Sequence, residues 1–283
     1  MVRAFVYPGQ GSQAVGMGQE LAATYPAARA VFDEVDEALG QDLSGLIFDG
    51  DIETLTLTEN AQPALMAVSL AATRAIEAVT GRPLSDLAGY VAGHSLGEYS
   101  ALAAAGAFSV ADAARLLRRR GQAMQKAVPV GQGAMAALLG LDIDAARTVA
   151  EAASGAEICV AANDNAPGQV VVSGHKAAVE RALTLAAEQG ARRGVLLPVS
   201  APFHCPLMQP AAEAMAAALS EVEITRPSVP LVANVTAAAV EDPDEIRRLL
   251  VAQVTGAVRW RESVMFMAGA GVDTLVEVGA GKV

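Results

Sequence analysis

Between residues 133 and 199 the chain runs through an order of elements that few architectures can accept. GAMAALLGL (133–141) reads as a strand and IDAARTVAEAA (143–153) as a helix. EICVAA (157–162) and QVVVSG (169–174) read as two strands joined by the turn-rich NDNAPG. HKAAVERALTLAAEQG (175–190) is a second helix and RRGVLLPV (192–199) a closing strand. The order β-α-β-β-α-β is the ferredoxin-like arrangement. Such a unit in mid-chain predicts an inserted small domain at 130–198. The segments 1–129 and 199–283 must then form one larger domain, with a junction that favours ligand binding.

The outer segments alternate strand and helix. AFVY (4–7) is a short strand followed by the glycine-rich PGQGSQAVGMG. A helix is predicted from about Gln19 to Leu39, another from Pro63, a good first helical position, and a third over 110–128. LAGYVAG (87–93) reads as a buried strand, and SLGEYSALAAAGAF turns at once to helix. This alternation makes the class α/β with a mostly parallel sheet. Hydrophobic residues make up 53% of the 283, ample for a large core. No apolar run reaches the length of a membrane span, and MVRAFVYPGQ lacks the regions of a signal peptide. Cys159 and Cys205 form no metal-like spacing, so the expectation is a reduced, cytoplasmic protein without a metal. A net charge of −11 argues against nucleic acid as a partner.

At the joint of strand and helix stands Gly93-His94-Ser95-Leu96-Gly97, which fits the G-x-S-x-G nucleophile elbow. A sharp turn there strains the serine backbone and projects its hydroxyl. The flanking glycines let strand and helix approach, and the helix N-terminus offers free N–H groups to an oxyanion. A chance match is the competing reading, and the strand-to-helix position favours the elbow. The serine needs a base, and the chain has only three histidines. His94 diverges from its neighbour Ser95 at the turn. His175 reads as a helix-start residue. His204, in a loop stiffened by Pro202 and Pro206, is the best base; its bland alternative is a packed loop histidine.

ADAARLLRRRGQAMQ (111–125) places Arg115 and Arg119 on a shared polar face. Arg120 follows Leu116 by four and precedes Met124 by four, so it falls on the apolar stripe. Periodicity leaves three readings open. Arg120 snorkels at the border, pairs with an internal carboxylate, or waits as a fork for a substrate carboxylate.

PGQGSQ, GHSLGEYSAL, the RRG of residues 119–121, NAPGQVVVSG and SAPFHCPLM, in this order along the whole chain, resemble the malonyl-CoA:acyl carrier protein transacylases of bacterial type II fatty acid synthesis. The resemblance implies an α/β-hydrolase-like large domain carrying the ferredoxin-like insertion. It implies transfer of malonyl from malonyl-CoA to the phosphopantetheine thiol of acyl carrier protein, by a monomer with no cofactor. Ser95 then resembles the nucleophile, His204 its base, and Arg120 the grip on the malonyl carboxylate. Gln10 and Leu96 resemble the backbone donors of the oxyanion hole. Gln253 resembles the residue whose carbonyl orients the histidine, where a triad aspartate would stand. Phe203 resembles the phenylalanine that narrows the room beside the acyl α-carbon. Two departures stand out: an arginine precedes Arg120 where many relatives have another residue, and the chain stops at VEVGAGKV where relatives continue with a further helix. A carrier protein of acidic character calls for a local basic face, with Arg115, Arg118, Arg119, Lys126, Lys176, Arg192 and Arg193 as candidates.

Three rivals remain. A serine hydrolase or thioesterase would use the same Ser95–His204 pair, though no HGGG-type loop precedes the elbow. Gly9-Gln10-Gly11-Ser12-Gln13-Ala14 formally fits a dinucleotide fingerprint, with Asp33 or Glu34 about 20 residues on. Pro8 and the glycines at 16 and 18 argue instead for a loop that continues where that helix should begin. The third is a catalytically silent carrier-binding module.

Overall fold

The computed structural model describes residues 2–281, and among them the strands gather into two sheets. In chain order the strands are β1 (Val2–Tyr7), β2 (Tyr90–Gly93), β3 (Gly133–Leu139), β4 (Cys159–Ala166), β5 (Gln169–His175), β6 (Arg193–Leu196), β7 (Leu231–Ala233), β8 (Ala238–Val240) and β9 (Val272–Glu277). The larger sheet has the order β8-β7-β2-β1-β9 and is drawn wholly from the outer segments. Its pairs are parallel except for the β7–β8 hairpin. The smaller sheet, β4-β5-β3-β6, is antiparallel throughout and is drawn wholly from the middle segment. Helices Ile143–Ser154 and Lys176–Glu188 pack on it over an alanine- and valine-rich core.

Burial explains the parallel sheet. Ala4 to Tyr7 and Val91 to Gly93 are buried, so the central strands read as apolar runs rather than alternating ones. The helix Thr58–Thr80 is buried along most of its length and packs against the helix Val110–Ala127. At Gly121 the two backbones nearly touch: a Cβ there would stand 2.6 Å from both Glu59 Cα and the Thr58 carbonyl oxygen.

Two boundaries differ from the sequence reading. The expected helix start at Pro63 lies five residues inside the helix, which begins at Thr58. The Leu57 carbonyl accepts from Asn60 and Ala61, and the Asn60 side chain reaches the Thr54 carbonyl, so the first turn is satisfied before the proline removes a donor. The stretch 19–39 is two helices, Gln19–Thr24 and Pro26–Leu39. Tyr25 between them is extended (φ −118°, ψ 112°), as a residue preceding proline prefers. After β1 the chain stays a loop until Gln19, with Gly11, Gly16 and Gly18 at positive φ. No helix opens on the glycines at 9 and 11, so the dinucleotide fingerprint lacks the helix N-terminus that would bind a pyrophosphate. No helix among the described residues is long and apolar enough to cross a membrane.

Candidate active site

Ser95 sits at the end of β2 with φ 53°, in the left-handed region that non-glycine residues avoid. The turn needs both glycines. A Cβ on Gly93 would stand 1.9 Å from the carbonyl carbon of Gly97, and one on Gly97 would stand 2.4 Å from the Tyr7 carbonyl oxygen. Strand, helix Gly97–Ala104 and the loop after β1 therefore meet at backbone contact. In that loop a Cβ on Gly9 would lie 2.9 Å from both Nδ1 and the carbonyl oxygen of His94. Gln10 follows directly, its side-chain amide donating to Thr58 Oγ1 at 3.3 Å. Leu96 has helical angles at the N-cap of the elbow helix and a buried side chain.

His204 is 2.7 Å from Ser95 Oγ through Nε2, and its Nδ1 lies 2.9 Å from the Gln253 carbonyl oxygen. A carbonyl only accepts, so Nδ1 carries the proton and donates to it. That leaves the Nε2 lone pair facing the serine hydroxyl. His204 also has positive φ, 57°. Burial, and then the nearby Arg120 charge, push its pKa down to about 3. The imidazole is therefore neutral, the form a general base requires. The sign gives an expected result. Because the shift is downward, neutral His204 persists as pH falls past its ordinary value near 6.5. Single-turnover acylation, followed from about pH 8 to about pH 5, is expected to show no half-loss near 6.5. A midpoint there would mean an ordinary, solvated histidine.

Arg120 is 1% exposed, which removes the snorkelling reading. Its Nη1 donates to Gln62 Oε1 at 2.8 Å, and its Nη2 donates to Gln253 Oε1 at 2.8 Å and to Ser95 Oγ at 3.1 Å. The guanidinium lies over the Tyr99 ring, 5.7 Å from its centroid. Among the described residues no carboxylate forms an ion pair with it. A buried cation is thus held by neutral oxygens, within reach of the serine.

Sequence reasoning missed a group of polar side chains around this centre. Asn234, at the end of β7, accepts from the Ser95 N–H at 2.8 Å and donates to the Gly93 carbonyl at 2.7 Å. The Gln253 amide donates to the Ser95 carbonyl and to Glu98 Oε2, each at 2.9 Å. Glu98 Oε2 also accepts from the Asn234 N–H at 3.0 Å. Burial raises the Glu98 pKa to about 7, against the lowering effect of these donors and of Arg120. Asn234 carries no local signal beyond a polar residue inside an apolar run, and Gln62 stands beside the polar residues of TENAQ.

The other histidines lie elsewhere. His94 is half-buried and paired through Nε2 with Asn165 Oδ1 at 2.8 Å, and its ring packs edge-on with that of Trp260. Asn165 is held there because β4 is tied to the segment before Trp260. Val258 exchanges backbone bonds with Ala162 and Asp164, and Arg261 grips Asp164 at 2.8 Å. His175 is the N-cap of the helix Lys176–Glu188 and accepts from the Ile158 N–H at 2.9 Å. Phe203 is buried directly before His204. A cleft of about 570 Å³ opens beside the elbow, lined by Pro8, Gly9, Gln10, His94, Asn165 and Trp260. The basic candidates are partly engaged on the surface: Arg115 with Asp112, Arg119 with Glu221, Lys176 with Glu180.

A strained serine at a strand–helix elbow, hydrogen-bonded to a neutral histidine, defines a class: enzymes that move acyl groups through a serine ester. The model of the acyl transferase domain family matches residues 4–281, and the chain belongs to that family. It is 47% identical over 281 residues to the malonyl CoA-acyl carrier protein transacylase of Bacillus subtilis, covering 99% of this chain and 87% of the relative. It is 47% identical over 280 residues to the enzyme of that name from Escherichia coli K12, covering 99% and 89%. The crystal structure of the acyl-carrier-protein-S-malonyltransferase from Bartonella henselae superposes with a TM-score of 0.97 at 55% identity, over all of this chain and 90% of that one.

Proposed function

We propose that the protein moves a malonyl group from malonyl-CoA to the phosphopantetheine thiol of an acyl carrier protein, through a malonyl ester on Ser95. One observation carries the substrate: Arg120, fully buried, bound only to neutral oxygens and 3.1 Å from Ser95 Oγ. A guanidinium so placed selects an acyl group that brings its own carboxylate, because a neutral acyl group leaves it without a counter-charge. The relatives' names agree with that choice.

His204 Nε2 takes the Ser95 proton as Oγ attacks the thioester carbonyl. The oxyanion rests on the N–H groups of Gln10, in the loop after β1, and Leu96, at the N-cap of the elbow helix. As the tetrahedral species collapses, the C–S bond breaks and the proton on His204 passes to the departing sulfur. In the second half the carrier thiol gives its proton to His204 and attacks the ester. Collapse then returns that proton to Ser95 Oγ. The Gln253 carbonyl holds His204 in the required tautomer throughout. Arg120 grips the distal carboxylate in both halves, and Phe203 limits substituents at the acyl α-carbon.

The architecture reads as two domains. Residues 1–129 and 199–283 form an α/β-hydrolase-like body, and 130–198 a ferredoxin-like insertion whose order β4-β5-β3-β6 is the one a βαββαβ chain adopts. The cleft beside the elbow suits the narrow arm that carries a thioester. A basic surface drawn from residues such as Arg192 and Arg193 suits an acidic carrier. The protein acts as a cytoplasmic monomer.

Mass spectrometry tests the reading. With malonyl-CoA alone, a malonyl adduct is expected on the peptide containing Ser95. Adding carrier protein bearing its phosphopantetheine thiol is expected to clear the adduct and malonylate the carrier. Steady release of free malonate without an acceptor would instead make the protein a hydrolase. No adduct at all would leave only a binding module.

A further inference from the structure

We infer that Glu98 is a positioning residue for acyl selection: its carboxyl fixes the sense of the Gln253 side-chain amide, which in turn aims Arg120. The inference rests on the malonyl-transfer reading above. The Gln253 amide is clamped between two groups of opposite demand. On one side Arg120 Nη2 can only donate, and it meets Oε1 at 2.8 Å. On the other side Glu98 Oε2 accepts from Nε2 at 2.9 Å. Rotating the amide by half a turn would set donor against donor at Arg120 and acceptor against acceptor at Glu98. The carboxyl, together with the Ser95 carbonyl, therefore keeps an oxygen, not an NH2, turned towards the guanidinium.

Three further contacts tie this pair to the chemistry. Gln253 Nε2 also donates to the Ser95 carbonyl at 2.9 Å. Glu98 Oε2 accepts the Asn234 N–H at 3.0 Å, and Asn234 Oδ1 in turn receives the Ser95 N–H at 2.8 Å. Glu98 is the second residue of the elbow helix and is fully buried, where an acid serving only the helix N-terminus would stay in water. Its Oε1 makes no hydrogen bond, so a proton or an amide NH2 at that position breaks none and leaves Oε2 its two donors.

That geometry separates an acceptor role from a charge role. Glu98→Gln places an amide oxygen where Oε2 stands and is expected to keep the preference for malonyl-CoA over acetyl-CoA. Glu98→Leu removes one of the two acceptors that hold the Gln253 NH2 at 2.9 Å and leaves the Ser95 carbonyl as the other, so the amide is held less firmly. Its preference, measured as the ratio of kcat/KM values, is expected to fall about tenfold or more, chiefly through a higher KM for malonyl-CoA. If Glu98→Leu does not fold, Glu98→Asp decides, because it keeps the charge but withdraws the oxygen by one methylene. It is expected to lose preference where Glu98→Gln does not. The idea is overturned if folded Glu98→Leu, or failing that Glu98→Asp, discriminates as the parent does. It is equally overturned if Glu98→Gln loses preference while Glu98→Asp keeps it. A parent enzyme that loads malonyl but shows no preference over acetyl sinks the clamp itself. A parent that loads no malonyl sinks the functional reading beneath it.

Discussion

Replacing Ser95 by alanine is expected to abolish the covalent malonyl adduct and to lower carrier malonylation by roughly 10⁴- to 10⁶-fold, the scale on which loss of a nucleophile acts. The change removes one oxygen and leaves the fold intact. Ser95 N–H still reaches Asn234 Oδ1, and the strained turn is set by Gly93 and Gly97 rather than by the hydroxyl. Rapid-quench transfer assays on matched, folded samples read the effect. Undiminished transfer by the alanine variant would place the nucleophile elsewhere. His204 Nε2, 2.7 Å from Oγ in the parent, loses its partner, so binding of malonyl-CoA without turnover is the state such a variant should accumulate.

Arg120→Ala is expected to reverse selection rather than stop chemistry. The malonyl to acetyl ratio of kcat/KM should drop on the order of 10²- to 10³-fold, the cost of truncating one partner of a buried charge pair. Two side effects have known signs. Arg120 helps hold the His204 pKa down, so its removal lets the imidazole titrate higher. It also lowers the Glu98 pKa, so its removal moves that carboxyl further up. Lysine is no substitute, because one ammonium cannot reach Gln62, Gln253 and a substrate carboxylate as a planar fork does. A variant that still prefers malonyl would show that selection lies outside the Arg120 pocket.

Ser95, His204 and Arg120 were open to sequence reasoning for different physical reasons. The elbow is local, since its glycines are demanded by contacts within five residues and by one neighbouring loop. His204 stood out through scarcity. Arg120 stood out because a cation on an apolar stripe violates helix patterning. The alternation of elements around 133–199 likewise forecast the smaller sheet, because each strand and helix there is short, regular and bounded by glycine or turn residues. The amides escaped notice because their roles are tertiary. Gln62 meets Arg120 across 58 positions, and Asn234 meets Ser95 across 139. Glu98 gave no signal either, because an acid in the first turn of a helix ordinarily faces water and serves the dipole. The start of the helix Thr58–Thr80 was misplaced because proline was read as a boundary, whereas packing on Gly121 holds the turns ahead of it.

The Gly121 contact has a consequence for how acyl preference can be altered. Ser95 belongs to the turn between β2 and the elbow helix, while the guanidinium and its Gln62 anchor belong to two other helices that touch at Gly121. Selection and bond-making are thus mounted on separate parts. The spacing between those two helices acts as an adjustable jaw, and a redesign that widens it can admit a bulkier or uncharged acyl chain while every atom of the elbow keeps its place.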